Sequence, residues 1–231
     1  MTLWSQSHSL QQKIIAAIVM VGLLPLTLML ALIYVEERRA LQETTGTNFK
    51  EVAVEAARRI EMHVTRGMNE AQQLATAPFL RTAVSEANRT YEGKDAQSIS
   101  DIIKDWQQRW GQRDKRSEFP LFVNRIVTNY LIRWHEIRKS DYVGILVTDG
   151  QGALVVSSIP QVEYSYAKTA WWQAVVKSGS QHPYVGEIAF DPAFGTHVVI
   201  VAAPILDDQH RGVVGAVTIL LRRDTLFQSI A

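Results

Sequence analysis

The chain has 231 residues, 47% hydrophobic and 20% charged, a composition that suits one or two folded units and excludes a disordered chain. Its 24 Lys and Arg against 23 Asp and Glu leave a net charge of +1, so no whole-molecule basic field points to nucleic acid. Cysteine is absent, which excludes disulfides, thiolate metal sites and a thiol nucleophile.

Residues 1–13 are polar. From Ile14 to Val35 about 22 residues pass without a charge, roughly 33 Å of helix, enough to cross a hydrocarbon core of about 30 Å. One transmembrane helix is expected here. A cleaved signal peptide is the competitor, but its apolar region is usually about 7–15 residues and ends at a small-x-small site that is missing before Glu36. Pro25 is tolerated mid-span and Tyr34 suits the interface. Lys13 flanks one end of the span and Arg38 and Arg39 the other, so the charges alone mildly favour the wrong orientation for an extracytoplasmic domain.

Residues 36–140 read as helical. Val52, Ala56, Ile60, Val64, Met68, Ala71 and Leu74 recur at steps of three and four, the mark of a long stalk helix with one apolar face. Thr44 to Asn48, with Gly46, is the expected interruption, and the stalk either dimerises or packs on its own domain. Pro78 opens a second helix that the Glu92 to Asp95 turn ends. Ser98 or Ser100 caps a third, carrying Ile102, Ile103, Trp106 and Trp110. The charged run Gln112 to Glu118 reads as a solvated loop, and Pro120 opens a helix with Phe122, Ile126, Tyr130, Trp134 and Ile137 on one face.

At Tyr142 the period changes to that of strands. YVGILVT and ALVVSS flank the turn DGQG, in which Asp149 and Gly150 are read as turn chemistry alone. THVVIVAAP and VVGAVTILL flank a second turn, DDQHRG. With YVGEIAFD they make about five antiparallel strands, and a short helix at 168–178 precedes the third. The expected fold class is α+β, an open antiparallel sheet at 141–231 whose one face the long helices cover.

Between these hairpins lies YSYAKTAWWQAVVKSGSQHPYVGEIAFD. Tyr164, Tyr166, Trp171, Trp172 and Tyr184 offer apolar area with polar tips, and Asp191 a carboxylate, as a pocket for a small amphipathic or cationic molecule requires. The competing reading makes the aromatics core and Asp191-Pro192 a turn. Adjacent helical positions point about 100° apart, so one of Trp171 and Trp172 is core and which one stays open. No HExxH, GxSxG or phosphate loop is present, and the histidines are scattered, so neither catalysis nor a metal or cofactor is expected.

VTDGQGALVVSS, AWWQAVVKSG, YVGEIAFDPAFG and VVIVAAPILDDQHRGVVGAVTI, in this order behind a membrane helix, resemble the Cache or PDC domains of bacterial signalling proteins. The resemblance implies a PAS-like sensor module behind the stalk. It also implies a cytoplasmic N-terminus and a single-pass anchor in the inner (cytoplasmic) membrane, with the sensor in the periplasm or outside the cell. A small-molecule ligand would lie between the sheet and the loop plus helix that covers it, at Tyr164, Tyr166, Trp171, Trp172, Tyr184 and Asp191, with Asp191 accepting from an ammonium or hydroxyl group. Amino-acid-binding members place an arginine two positions before the paired aromatics to hold the ligand carboxylate. Here Thr169 stands there with Lys168 beside it, which departs from that pattern. The expected function is a sensor that reports occupancy through its stalk, as a homodimer, to an output supplied by a partner or by a longer chain. The alternative is an anchored envelope protein that uses the same fold as a docking surface without a ligand.

Overall fold

The computed structural model describes residues 10–112, 125–160, 162–209 and 211–224, with side chains at 10–13, 15–17, 23, 24, 35 and 37–48 outside the description. Residues 1–55 and 56–231 form two compact units. The expected loop at 113–118, the helix start at Pro120 and Phe122, and His210 lie outside the described residues.

The first unit is helical from Leu10 onward, the start of α1 (Leu10–Ala75), and Ile18, Met20, Val21, Leu28 and Leu30 are exposed on it. Among the described residues no helix is long and apolar enough to cross a membrane, the run from Ile14 to Val35 resting partly on side chains outside the description. The interruption expected at Thr44 to Asn48 does not occur: the backbone stays helical through Gly46. One glycine costs a helix only about 1 kcal/mol relative to alanine, less than breaking a turn of hydrogen bonds.

In the second unit the end of α1 is followed by α2 (Pro78–Arg89), α3 (Ala96–Gln112) and α4 (Arg125–Ile137), then by β1 (Tyr142–Asp149) and β2 (Leu154–Ser157). A short helix α5 (Ala170–Trp172) runs into a π-helical turn, Gln173–Lys177, ahead of β3 (Tyr184–Asp191), β4 (Thr196–Leu206) and β5 (Val213–Arg222). Pro78 sits in the first turn of α2, where its missing N–H is not needed. The cap of α3 is Asp95 and not Ser98 or Ser100: its Oδ1 accepts the Ser98 N–H at 2.7 Å, which also holds that carboxyl below the usual carboxylate range.

The five strands are antiparallel in the order β2-β1-β5-β4-β3. Alternation along β5 sends Val217, Ile219 and Leu221 to one face of the sheet and Ala216 and Leu220 to the other. On the first face they meet Ala71 and Leu74 of α1, Leu80 and Val84 of α2, and Val127 and Leu131 of α4. The core face of α4 is only partly the expected one: Trp134 packs against this core, but Ile126 is 71% and Ile137 77% exposed whereas Leu131 is fully buried. α3 departs from the expected single layer as well. Its Trp110 packs with Tyr164 on the second face, and Trp110 Nε1 donates to the Val162 carbonyl at 2.7 Å.

A buried carboxylate ties α1 to the corner between α4 and β1. Glu70 accepts the Tyr142 hydroxyl at 2.6 Å and pairs with Arg138 Nη2 at 3.1 Å. Desolvation, then the bond to Glu70, pushes the Tyr142 phenol above its ordinary value. Glu70→Ala leaves both donors short of their acceptor and is expected to cost about 2 kcal/mol, with Glu70→Gln recovering about half, as read by chemical denaturation.

Candidate functional site

The second face of the sheet holds a cavity of about 360 Å³, within the range of roughly 300–1,000 Å³ usual for small-molecule sites. Strand pairing builds its floor. Leu146 of β1 is directly opposite Thr218 of β5, and Leu220 of β5 is opposite Ile200 of β4, and all four line the cavity. The connection after β2 supplies the roof, with Pro160, Val162, Glu163, Tyr166, Thr169 and Trp171. The β3–β4 turn closes one end with Asp191, Pro192, Ala193 and Phe194.

Local chemistry fixes these pieces. Gly152, at φ 82°, lets the backbone at Ala167 come so close that an added Cβ would lie 2.6 Å from the Ala167 nitrogen. Around that approach the Tyr166 N–H donates to the Gly152 carbonyl, and the Leu154 N–H to the Tyr164 carbonyl, each at 2.7 Å. The Tyr166 hydroxyl accepts the Glu163 N–H at 3.1 Å, so the ring spans the roof and meets Trp171 at a centroid distance of 5.6 Å. Thr169 Oγ1 donates to the Tyr166 carbonyl at 2.7 Å. Asp191 Oδ1 accepts the Ala193 N–H at 2.9 Å, an Asx turn that leaves the carboxylate on the cavity wall.

Of the residues read from sequence as the site, the structure brings Tyr166, Thr169, Trp171 and Asp191 to the cavity. The other four stand elsewhere. Tyr164 is buried between Trp106 and Trp110, at centroid distances of 6.4 and 5.9 Å, and acts as the wedge that seats α3. Both tryptophans belong to the core, Trp171 at 3% and Trp172 at 7% exposure, so the expected division of the pair does not hold; Trp171 also lines the cavity, whereas Trp172 does not and its Nε1 donates to the Asp149 carbonyl at 3.4 Å. Tyr184 is half-buried at the start of β3, and Lys168 is exposed.

Sequence reading missed Glu163, Phe194 and Thr218. Thr218 is 0% exposed, and its hydroxyl has no hydrogen-bond partner among the described residues. Its signal was one polar side chain in the otherwise apolar strand VVGAVTILL. Asp149, read as turn chemistry alone, is a buried carboxylate: Oδ2 accepts the Tyr91 hydroxyl at 2.9 Å, and Oδ1 accepts the Gln151 and Ala153 N–H groups at 2.8 and 2.9 Å. Among the described residues no group of three or more His, Asp or Glu side chains is placed to hold a metal ion.

No family model and no curated protein matches the chain. Among solved structures it is similar to the sensor domain of the histidine kinase DctB of V. cholerae, at 12% identity and a TM-score of 0.56, over 82% of this chain and 60% of that one. The E. coli DcuS sensor domain aligns at 16% identity and a TM-score of 0.47, over 74% and 97%. The ligand-binding domain of the Campylobacter jejuni chemoreceptor Tlp3 aligns at 10% and 0.36, over 74% and 63%. The chain spans 60% of the length of the DctB sensor domain, and what the two share is the fold, which in this chain is α+β with a five-stranded antiparallel sheet.

Proposed function

We propose that this chain is a non-enzymatic sensor module that binds a small molecule in the cavity under Tyr166 and Trp171 and reports occupancy through α1. The observation that supports it most is the position of β5. One face of that strand presents Thr218 and Leu220 to the cavity, and the other presents Leu221 to α1. An added Cβ at Gly67 of α1 would lie 2.9 Å from Leu221 Cδ2, so strand and helix are in close contact there. A ligand that draws the roof onto the floor acts on a strand already packed against the output helix. It shifts the helix only by its difference in affinity for the two arrangements.

The uncharged run Ile14 to Val35 supports anchoring by a single span in the inner membrane, while the resemblance to Cache domains, against the flanking charges, supports residues 1–13 in the cytoplasm, the sensor outside, and a homodimer that reaches signalling partners across the bilayer. A C-terminal reporter active only in the cytoplasm would reverse this orientation. The test of the sensor reading is thermal unfolding of the full chain in detergent against amines, carboxylates, amino acids and purines. A ligand at about a hundred times its dissociation constant adds roughly 2.7 kcal/mol, a rise of about 5–10 °C for a unit of this size. Trp171→Leu is expected to abolish the rise.

A docking role without a ligand is the second reading, supported by Val185, Ile188 and Phe190, exposed by 43%, 46% and 56% on the edge strand β3. Silence across the library, with a partner protein lost on Phe190→Asp, would favour it.

A further inference from the structure

We infer that the cavity takes an organic cation, a primary amine or quaternary ammonium on an apolar body, and rejects carboxylates; this rests on the sensor reading. The charged side chains among its described lining residues are Glu163 and Asp191, both acidic, and no Lys, Arg or His is among them. Among the described residues neither carboxylate has a cationic partner. The Asp191 Asx turn uses Oδ1, and Oδ2 makes no hydrogen bond to a described residue. Two like charges in the lining of one small cavity, Glu163 at its exposed rim, raise its affinity for a cation and oppose an anion.

The walls fit the same class. Tyr166 and Trp171, tilted at 45° to each other, and Phe194 line the same cavity as the two acids, and a cation within about 6 Å of a ring centroid gains a further attraction. Leu146, Ile200 and Leu220 give the floor an apolar surface for the body of the ligand.

A second observation is independent of the acids. The Thr218 hydroxyl is fully buried on that floor without a partner among the described residues, although a buried hydroxyl is ordinarily hydrogen-bonded. Val in its place would have the same shape and no such deficit. A ligand seated deeply enough to displace the floor side chains over it would find in this hydroxyl an acceptor for an N–H or O–H, or a donor to an ether or carbonyl oxygen. Thr169, an uncharged lining residue beside Trp171, has its hydroxyl engaged by the Tyr166 carbonyl. The lining therefore offers carboxylates to a cation and no cationic side chain to an anion.

The experiment is calorimetric titration of the full chain in lipid nanodiscs with phenethylamine, butylamine and choline, and with the shape-matched anions 3-phenylpropionate and butyrate. Expected is binding of at least one cation and of neither anion. Asp191→Asn with Glu163→Gln should weaken it by about tenfold or more, since charged hydrogen bonds are lost while the new amide oxygen still accepts the Ala193 N–H. Thr218→Val should weaken it by about fivefold without lowering the unfolding midpoint of the ligand-free chain. Binding of an anion, abolished by Trp171→Leu, overturns the inference and leaves the sensor reading standing. Cation binding indifferent to all these variants places the ligand elsewhere and overturns it too. Silence of both sets at millimolar concentration overturns the inference, and the sensor reading falls with it only if the wider library of amino acids and purines is silent too.

Discussion

Gly215→Ala is expected to destabilise the second unit by about 3 kcal/mol or more, lowering its unfolding midpoint by about 6–12 °C. The added Cβ would lie 2.3 Å from the Thr148 carbonyl oxygen and 2.8 Å from Val84 Cγ1. The first of these neighbours is backbone, held by the pairing of Asp149 with Gly215 between the two central strands, and it has no rotamer to escape into. Relief requires β1 and β5 to part or α2 to lift from the sheet. Because Leu146 and Thr218 face each other further along the same pairing, the substitution should disturb the cavity floor together with stability. Gly111→Ala is the control. Nothing lies within 4 Å of its added Cβ near the end of α3, so it should stabilise by about 0.5 kcal/mol through helix propensity. Thermal unfolding of the two variants beside the parent reads both signs, and equal midpoints would mean that the β1–β5 spacing is not under steric control.

The strands were legible because their signals are local. Alternation over YVGILVT, THVVIVAAP and VVGAVTILL and the turn residues between them needed no knowledge of neighbours, and each expected strand is present within a residue or two of its ends. What local pattern does not contain is strand order. The cavity floor exists because β5 lies between β1 and β4, which brings Leu146, Thr218, Leu220 and Ile200 together from three separate stretches. Half of the expected site residues reached the cavity, three of them because one connection carries Tyr166, Thr169 and Trp171 over that floor. Tyr164, only two residues earlier, went instead to α3, whose place on this face was not visible from its sequence. The face of α4 was only partly legible, for another reason. Large side chains at Ile126, Tyr130 and Ile137 suggested the core face, yet Val127 and Leu131, a quarter-turn away, are the ones that fit beneath α2 and against the strands.

Asp149→Ala is expected to cost about 3 kcal/mol, a large effect for a residue whose Asp-Gly setting reads as an ordinary turn. Asp149 is 1% exposed and accepts the Tyr91 hydroxyl from a position 58 residues earlier, so its burial arises from a contact that no local pattern encodes. Alanine would strand that hydroxyl and the Gln151 and Ala153 N–H groups at once. Asp149→Asn would keep an oxygen for the two backbone donors and is expected to cost only about 1 kcal/mol. The two variants also separate hydrogen bonding from charge. Desolvation by burial pushes the Asp149 carboxyl above its ordinary value, against the opposing pull of the bonds from Ala153, Gln151 and Tyr91. A raised folded value means that the folded chain holds this proton more tightly than the unfolded chain does. Its contribution is therefore fully present below the ordinary carboxylate value of about 4 and is lost as pH rises through the folded value. The stability advantage of the parent over Asp149→Asn, measured by urea unfolding, should accordingly shrink as pH is raised from about 4 toward neutrality. A constant difference across that window would show that Asp149 titrates alike in both states, and that its bonds to Tyr91 and the turn amides fully replace the water it has lost.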